Sequence, residues 1–207
     1  MKPPNEAALD AFLGLITEKG FAAVSLRDVA AAASLGLAEL YRIYPDKVAL
    51  MSAFTARIDR DVLAGTAAQL DPEETVRDRL FDVMMRRYDA LRPHRQALAE
   101  MRRAAARDPV LAVALSPALR RSMALMLEAA AVPSDGLAGA LRQNGLLAIH
   151  YAVSRTFDRD ETTDLSKTMA ALDSRLKIAE RWSQLFERNN KKPRSEEVVP
   201  GDNSPAS

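Results

Sequence analysis

Residues 20–50 read GFAAVSLRDVAAAASLGLAELYRIYPDKVAL, and this stretch decides the fold. It contains two short segments with helical periodicity, 26–33 and 37–43, which are joined by a tight break. Ser25, with Asp28 three residues later, is a short capping box that predicts where the first of these helices begins. Two short helices joined by a tight turn are typical of a helix-turn-helix, whose second helix is narrow enough to enter the major groove of a duplex.

Outside this stretch, helical periodicity predicts seven further helices and an all-α fold. These helices are expected at 5–19, 46–67, 72–91, 94–107, 117–131, 135–156 and 162–187. Several boundaries fall at steps into proline, including Ser116-Pro117, because proline removes a backbone donor and clashes with the preceding turn. The 37 alanines outnumber the 25 valines, isoleucines and threonines together, which favours helices over strands.

These helices predict two structural units and a tail. A three-helix helix-turn-helix domain is expected at 5–50, followed by a larger helical domain at 51–188. Residues 189–207 are polar and rich in proline and serine, so we expect a disordered tail there.

Composition excludes several classes of protein. The 29 basic and 28 acidic side chains nearly cancel, which excludes a globally basic nucleic-acid coat. The absence of cysteine excludes disulfides and thiol chemistry, and two histidines are too few for a histidine metal cluster. The sequence has no phosphate-binding glycine loop, zinc-protease motif or nucleophile elbow, so we expect neither an enzyme nor a cofactor. Since no apolar run approaches about 20 residues, a soluble cytoplasmic protein is expected.

Over about 12–54, the sequence resembles the N-terminal domain of TetR-type (TetR/AcrR) transcriptional regulators. The resemblance rests on Gly20-Phe21, Ser25-Leu26-Arg27-Asp28-Val29-Ala30, Leu40-Tyr41-Arg42, Tyr44-Pro45-Asp46-Lys47 and Leu50. It implies a homodimeric, ligand-responsive repressor that binds a double-stranded DNA operator. The residues expected at the DNA are Ser25, Arg27, Tyr41, Arg42 and Lys47 near phosphates, and Leu37, Ala38 and Glu39 near bases.

The sequence departs from the family pattern at four positions of this motif. Ser34 stands where the family has glycine at the turn, Gly36 where it has a serine or threonine cap, and Ile43 where it often has histidine. Glu39 places a carboxylate on the expected DNA face, where it would accept from a cytosine amine or repel phosphates. Residues 1–65 carry seven basic and eight acidic side chains, so we expect weak, salt-sensitive DNA binding unless the basic groups converge on one face.

The resemblance implies that the larger domain binds a ligand and dimerises. Two of its helices, near 135–157 and 162–187, carry apolar faces too broad for one neighbour. The first has one stripe of Leu141, Ala148, Tyr151 and Ala152, and another of Leu146, Ile149, Val153 and Phe157. The second carries Leu165, Met169, Leu172, Leu176, Ala179 and Phe186, widened by Ile178, Trp182 and Leu185. Pairing with symmetry mates predicts a four-helix dimer interface, and the alternative is that one stripe is only core within the chain.

The candidate ligand-binding residues lie on the middle helices and are adaptable methionines with a few polar side chains. They are Met84, Tyr88, Met101, Met123, Met126 and His150. Methionine fits irregular apolar shapes, which suits a pocket for a small hydrophobic ligand of unknown identity. The alternative is an ordinary core in which His150 bonds a local partner, and His94 is expected at the surface.

Residues 84–107 carry seven arginines against two acids, a net charge of +5. Such a run is usually a solvated helix face, but it could also bind an anionic head group or a membrane surface. Residues 168–176 resemble the end of a ubiquinone-biosynthesis accessory family, which is TetR-like in fold and binds isoprenoid lipids. The alternative function is therefore a TetR-like lipid-binding protein without DNA binding.

Overall fold

A computed structural model describes residues 2–66 and 73–190, with side chains described as far as Arg181. These residues form nine α-helices and one 3₁₀ turn, Arg92–His94, and none of them lies in a β-strand, so the all-α prediction is confirmed. The helices are α1 (Pro4–Lys19), α2 (Leu26–Ala32), α3 (Leu37–Ile43), α4 (Lys47–Ala64), α5 (Val76–Leu91), α6 (Arg95–Arg107), α7 (Pro109–Ala129), α8 (Gly136–Phe157) and α9 (Ser166–Asn190).

Most helix boundaries lie within a few residues of their predicted positions. α5 begins at Val76, with Thr75 as its N-cap, and the expected start at residue 72 lies outside the described residues. The expected tail overlaps the last two residues of α9, and 191–207 lie outside the described residues.

Local signals fix the ends of α1 and α2, which pack against each other. Gly20 ends α1 with φ +81°, a left-handed conformation that glycine adopts without strain. The Ser25 hydroxyl oxygen accepts from the Asp28 N–H (3.2 Å), and the Asp28 carboxylate accepts from the Ser25 N–H (2.9 Å). The predicted capping box is therefore confirmed.

The turn between α2 and α3 is a Schellman motif without glycine. The N–H of Ser34 donates to the Ala31 carbonyl (3.1 Å), and the N–H of Leu35 donates to the Ala30 carbonyl (2.8 Å). Ser34 has φ +55°, a left-handed conformation that is unfavourable for a residue with a Cβ. The substitution of serine for the expected glycine therefore leaves strain at this turn.

α4 connects the helix-turn-helix to the rest of the chain. Asp46 caps α4 by accepting from the Ala49 N–H (2.7 Å), in agreement with the helix expected to begin at residue 46. The buried side chains of its apolar stripe, Leu50, Met51, Phe54, Ile58 and Val62, face neighbouring helices. α4 packs against α1, α5 and α7, and α6 packs against α1, so the two parts of the molecule meet along two helices.

The predicted break at Ser116-Pro117 is wrong, because α7 begins at Pro109 and runs through Pro117. Pro117 has no N–H to offer the Val113 carbonyl. The Ser116 hydroxyl donates to that carbonyl instead (2.9 Å), so the helix continues without an unsatisfied acceptor. At its start, the Asp108 carboxylate caps the first turn.

α7 is also long and apolar enough, by length and composition, to cross a membrane, with a mean hydropathy of 1.5 over 18 residues. Arg120 and Arg121 interrupt its apolar residues, so α7 is not a continuous apolar run. Core helices of soluble proteins pass the same test. α7 packs against α4, α5, α6 and α8.

The last helix begins at Ser166 instead of 162, and a loop at 158–165 precedes it. Asp160 is fully buried there, and its carboxylate accepts from the Thr168 N–H and hydroxyl, both at 2.7 Å. Burial raises the pKa of Asp160, but hydrogen bonds from threonine side chains and N–H groups outweigh it and lower the pKa to about 2. The ionised carboxylate thus ties the loop to the first turn of the helix.

Candidate functional site

α3 protrudes from the N-terminal unit and exposes most of its surface. Among its residues only Leu40 is buried, and it packs into the core. Leu37 is 41% exposed and Tyr41 61% exposed, and Ala38 and Arg42 are also exposed. Such a helix can enter a groove without rearrangement of its neighbours.

Two of the residues expected to contact phosphates already have partners within the chain. The Ser25 hydroxyl donates to the Asp28 carboxylate (2.7 Å), as part of the cap of α2. The Lys47 ammonium donates to the Phe21 carbonyl (3.0 Å) and lies 4.6 Å from the centre of the Phe21 ring. Burial lowers the pKa of Lys47. Because the ammonium is half-buried and bonded to Phe21, it is less available to a phosphate than the sequence suggests.

The remaining cationic candidates are accessible. Arg27 and Arg42 are exposed, and neither makes an ion pair with a described residue. Tyr41 precedes Arg42 on α3, and its side chain is also exposed. Glu39 is half-buried on the first turn of α3, the turn expected to face bases.

Three of the acids in the N-terminal unit form ion pairs within it. Asp28 pairs with Lys19 (2.8 Å), and hydrogen bonds from Lys19 and Ser25 hold the pKa of Asp28 well below its usual range. Arg57 pairs with Glu6 (3.2 Å) and Asp10 (2.8 Å). The formal excess of acids in 1–65 therefore does not describe the charge at the exposed face.

Residues 8–54, which contain most of α1, all of α2 and α3, and the start of α4, match the family of bacterial regulatory proteins named tetR. The chain carries a TetR-type N-terminal domain. The helix-turn-helix stretch at 20–50 lies entirely within this match. The resemblance of its residues to the TetR-type N-terminal domain is therefore confirmed. No curated protein matches the sequence.

Solved structures of TetR-family proteins share the fold over almost the whole chain. A TetR transcriptional regulator from Nitrosomonas europaea ATCC 19718 has a TM-score of 0.69 at 21% identity, over 87% of this chain and 99% of its own. A TetR transcriptional regulator from Rhodococcus sp. RHA1 has a TM-score of 0.60 at 21% identity, over 84% and 95%. Salmonella enterica GusR has a TM-score of 0.53 at 20% identity, over 84% and 96%. At these identities the likeness establishes the TetR fold, including the C-terminal helical domain.

The six candidate ligand-binding residues lie in or against the core of that domain. Met84, Tyr88, Met123, Met126 and His150 are buried, and Met101 is half-buried. The Tyr88 hydroxyl lies 3.1 Å from His150 Nδ1 and donates to the His150 carbonyl (3.2 Å). Burial lowers the pKa of His150 well below its usual value, so the imidazole is neutral at pH 7. The local partner of His150 is thus Tyr88, and their rings are stacked at 5.7 Å.

A buried ionic cluster, which sequence reasoning missed, joins α4 to α5 and α7. Arg87 Nη1 donates to the Asp59 carboxylate (2.6 Å), and the Ser122 hydroxyl donates to the same oxygen (2.5 Å). Arg87 is 2% exposed and Asp59 8% exposed, and Arg87 Nε has no hydrogen-bond partner. Asp59 follows Ile58 of the apolar stripe of α4. A charged residue next to that stripe is the sequence feature that could have indicated a buried ion pair.

The arginine run of 84–107 is not a single solvated face. Arg87 is buried, Arg92 donates to the Thr163 carbonyl (2.6 Å), and Arg102 pairs with Asp158. Burial lowers the pKa of Arg102 to about 10. Three of the seven guanidiniums therefore bond to other helices and loops. The net charge of +5 over 84–107 is thus not the charge of one exposed surface.

A cleft of about 440 Å³ lies where α5 begins and α7 ends, against the inner faces of α8 and α9. Its apolar lining includes Val76, Leu80, Leu127, Val132, Leu146, Ile149 and Leu176, and its polar residues are Arg77, Arg142 and Glu180. None of the six candidate ligand-binding residues lines this cleft. Its walls come from four helices, so no single stretch of sequence could indicate it.

The two apolar stripes of α8 have different environments. Leu146, Val153 and Phe157 are buried in the core. Leu141 is 67% exposed and Tyr151 47% exposed, on the outer side of the helix. On α9, Leu172 and Leu176 are buried, as is Leu165 just before it, whereas Met169 and Ile178 are exposed. The predicted positions Trp182, Leu185 and Phe186 have side chains outside the described residues.

Proposed function

We propose that this protein is a cytoplasmic, homodimeric, ligand-responsive transcriptional repressor that binds a double-stranded DNA operator and has no catalytic activity. The observation that carries the proposal is the exposed α3 within a TetR-type domain, with Tyr41 and Arg42 accessible on it and Arg27 exposed on the neighbouring α2. In this arrangement Leu37, Ala38 and Glu39 on the first turn of α3 face the bases. Arg27, Arg42 and the Tyr41 hydroxyl contact phosphates.

Ser25 and Lys47 have supporting roles in this arrangement. Ser25 fixes the start of α2, and Lys47 joins the start of α4 to Phe21 on the opposite side of the motif. The Ala49 N–H is occupied by the Asp46 cap, but the N–H groups of Lys47 and Val48 have no partner within the helix, so they can approach a phosphate even though the Lys47 ammonium is occupied.

Dimerisation would place two α3 helices in successive major grooves. Leu141, Ala148 and Tyr151 on α8, with Ile178 on α9, form an exposed apolar face that a second copy would cover. A four-helix interface made by α8 and α9 of both copies suits this face. Half-sites of the operator should then lie about 34 Å apart, one turn of DNA.

A ligand would act through α4. Asp59 on α4 is held by Arg87 on α5 and Ser122 on α7, so displacement of either helix also displaces α4. Because α4 begins at the helix-turn-helix, its tilt sets the distance between the two α3 helices of a dimer. The ligand lowers DNA affinity only if it binds the tilted state more tightly than the DNA-bound state. The six core candidates around Tyr88 and His150 remain predicted ligand contacts. They lie outside the cleft of about 440 Å³, which is a separate position for an effector in the same domain.

The test is binding of the full chain to the duplex upstream of its own gene, by fluorescence anisotropy across a series of salt concentrations. The regulator should bind specifically, with a Kd on the order of 10⁻⁸ M or lower. Arg42→Gln should weaken binding and reduce the salt slope by about 1 per protomer, because one phosphate contact is lost. Tyr41→Phe should weaken binding without changing the slope. Arg120→Gln is the matched control, because Arg120 is exposed on α7.

Equal binding by wild type, Arg42→Gln and Arg120→Gln would refute the assignment of the α3 face. The absence of binding at low salt, together with a lipid identified by mass spectrometry of the purified protein, would instead favour the lipid-binding alternative.

A further inference from the structure

We propose that the cleft between α5, α7, α8 and α9 binds a small amphipathic acid, with an apolar body inside and one carboxylate at its mouth. This inference deepens the proposed function and rests on it, since such a molecule would be the effector of the regulator.

The size and lining of the cleft suit an apolar body. At about 440 Å³ it falls within the range of about 300–1,000 Å³ typical of small-molecule sites. Leu127, Leu146 and Leu176 are buried side chains that form part of the wall. Val76 is 48% exposed beside them. An apolar ligand would therefore remove hydrophobic surface from water on several sides.

The charges at the cleft favour an anionic head group at one position. Arg77 already hydrogen-bonds the Asp78 carboxylate (3.0 Å), and Glu180 adds a second acid on that side. Arg142 makes one hydrogen bond, to the neutral Pro133 carbonyl (3.1 Å), and no ion pair with any residue in the described part of the chain. Arg142 is exposed and has no acidic partner in the described part of the chain, so its remaining donors can form charge-assisted bonds with a carboxylate.

Two helices connect this cleft to the buried ionic cluster on α4. α5 carries Leu80 in the cleft and Arg87 in the cluster, seven residues apart, or about 10 Å along the helix. α7 carries Leu127 in the cleft and Ser122 in the cluster. A ligand that separates α5 from α7 at the cleft would therefore displace both partners of Asp59.

The experiment is isothermal titration calorimetry of the full chain with decanoate, decanol and decylammonium. Decanoate should bind, and decanol and decylammonium should bind at least about tenfold more weakly, because they cannot accept charge-assisted bonds from Arg142. Arg142→Gln should weaken decanoate about tenfold or more and leave decanol unchanged. Arg155→Gln, an exposed arginine on the same helix outside the cleft, is the matched control. Ala179→Phe, which adds a ring at the exposed wall, should reduce binding of both decanoate and decanol.

Three results would overturn the proposal. These are no decanoate binding at millimolar concentration, equal binding of decanoate and decylammonium, or decanoate binding that survives both Arg142→Gln and Ala179→Phe. Calorimetry involves no DNA, so failure here leaves the operator-binding result standing. Conversely, decanoate binding without operator binding would refute the proposed function while retaining the site.

Discussion

Removal of Asp59 should destabilise the fold far more than removal of both members of its ion pair. Asp59→Leu leaves the Arg87 guanidinium buried without a counter-ion, and Arg87→Met leaves the Asp59 carboxylate with only the Ser122 hydroxyl as a described partner. The double variant replaces both charges with apolar groups. We therefore expect a strongly non-additive double-mutant cycle.

The magnitude follows from the burial of the pair. Arg87 is 2% exposed, and burial lowers its pKa against the opposing effect of Asp59, which shows how little water screens the cation. Breaking a buried pair of this kind costs about 3–5 kcal/mol, whereas replacing both partners by apolar side chains is often neutral or stabilising. Arg87 Nε lacks a hydrogen bond even in the intact cluster. This unsatisfied donor reduces the stability that the ion pair gives the fold relative to a pair of apolar side chains.

The assay is equilibrium urea unfolding, followed by circular dichroism at one fixed protein concentration because the chain is proposed to be a dimer. The less buried pair of Asp10 and Arg57, whose side chains are 42% and 15% exposed, is the control, and Asp10→Ala should cost less than about 1 kcal/mol. If Asp59→Leu costs no more than Asp10→Ala, or if the double variant costs the sum of the two single variants, the reasoning is wrong.

Three further predictions test other parts of the structure. Because the pKa of His150 is lowered in the fold, the imidazole takes up a proton at a higher pH in the unfolded chain than in the folded one. The free energy of unfolding should therefore fall by up to about 1.4 kcal/mol per pH unit below pH 6.5. In urea unfolding measured at several acidic pH values, His150→Gln should reduce this fall more than His94→Gln does. Gly139→Ala should lower the thermal midpoint, since a Cβ there would overlap the Ser134 carbonyl. Gly145 has open space around it, so Gly145→Ala should raise the thermal midpoint, because alanine is favoured over glycine in a helix by about 1 kcal/mol. Ser34→Gly should stabilise the fold by about 1 kcal/mol in urea unfolding by removing strain at φ +55°, and an unchanged midpoint would contradict that account.

The features predicted correctly depend on residues close together in the chain. The capping box of Ser25 and Asp28 and the cap at Asp46 involve partners three residues apart, so their types and spacing suffice. The same holds for the end of α1 at Gly20. These local signals placed α2 and α3, and with them the TetR-type motif.

The features that were missed depend on partners distant in sequence or on a compensating side chain. Lys47 is bonded to Phe21, 26 residues away, and Arg87 to Asp59, 28 residues away. Pro117 indicates a helix break by itself, but the Ser116 hydroxyl supplies the missing donor. Sequence periodicity reports which face of a helix is apolar, and it contains no information about which charged groups meet across helices.

The charge of the N-terminal unit shows how this limit affects a functional prediction. Summed over 1–65, acids exceed bases by one, which argues against phosphate binding. The fold separates these charges, since Lys19 and Arg57 neutralise acids on α1 and α2, while Arg27 and Arg42 remain unpaired among the described residues. DNA affinity depends on the protein charges that lie close to the phosphates. At 0.1 M salt, screening over about 10 Å weakens the effect of more distant charges. The relevant quantity is therefore the number of unpaired cations on the exposed face, which the net charge of a segment does not give.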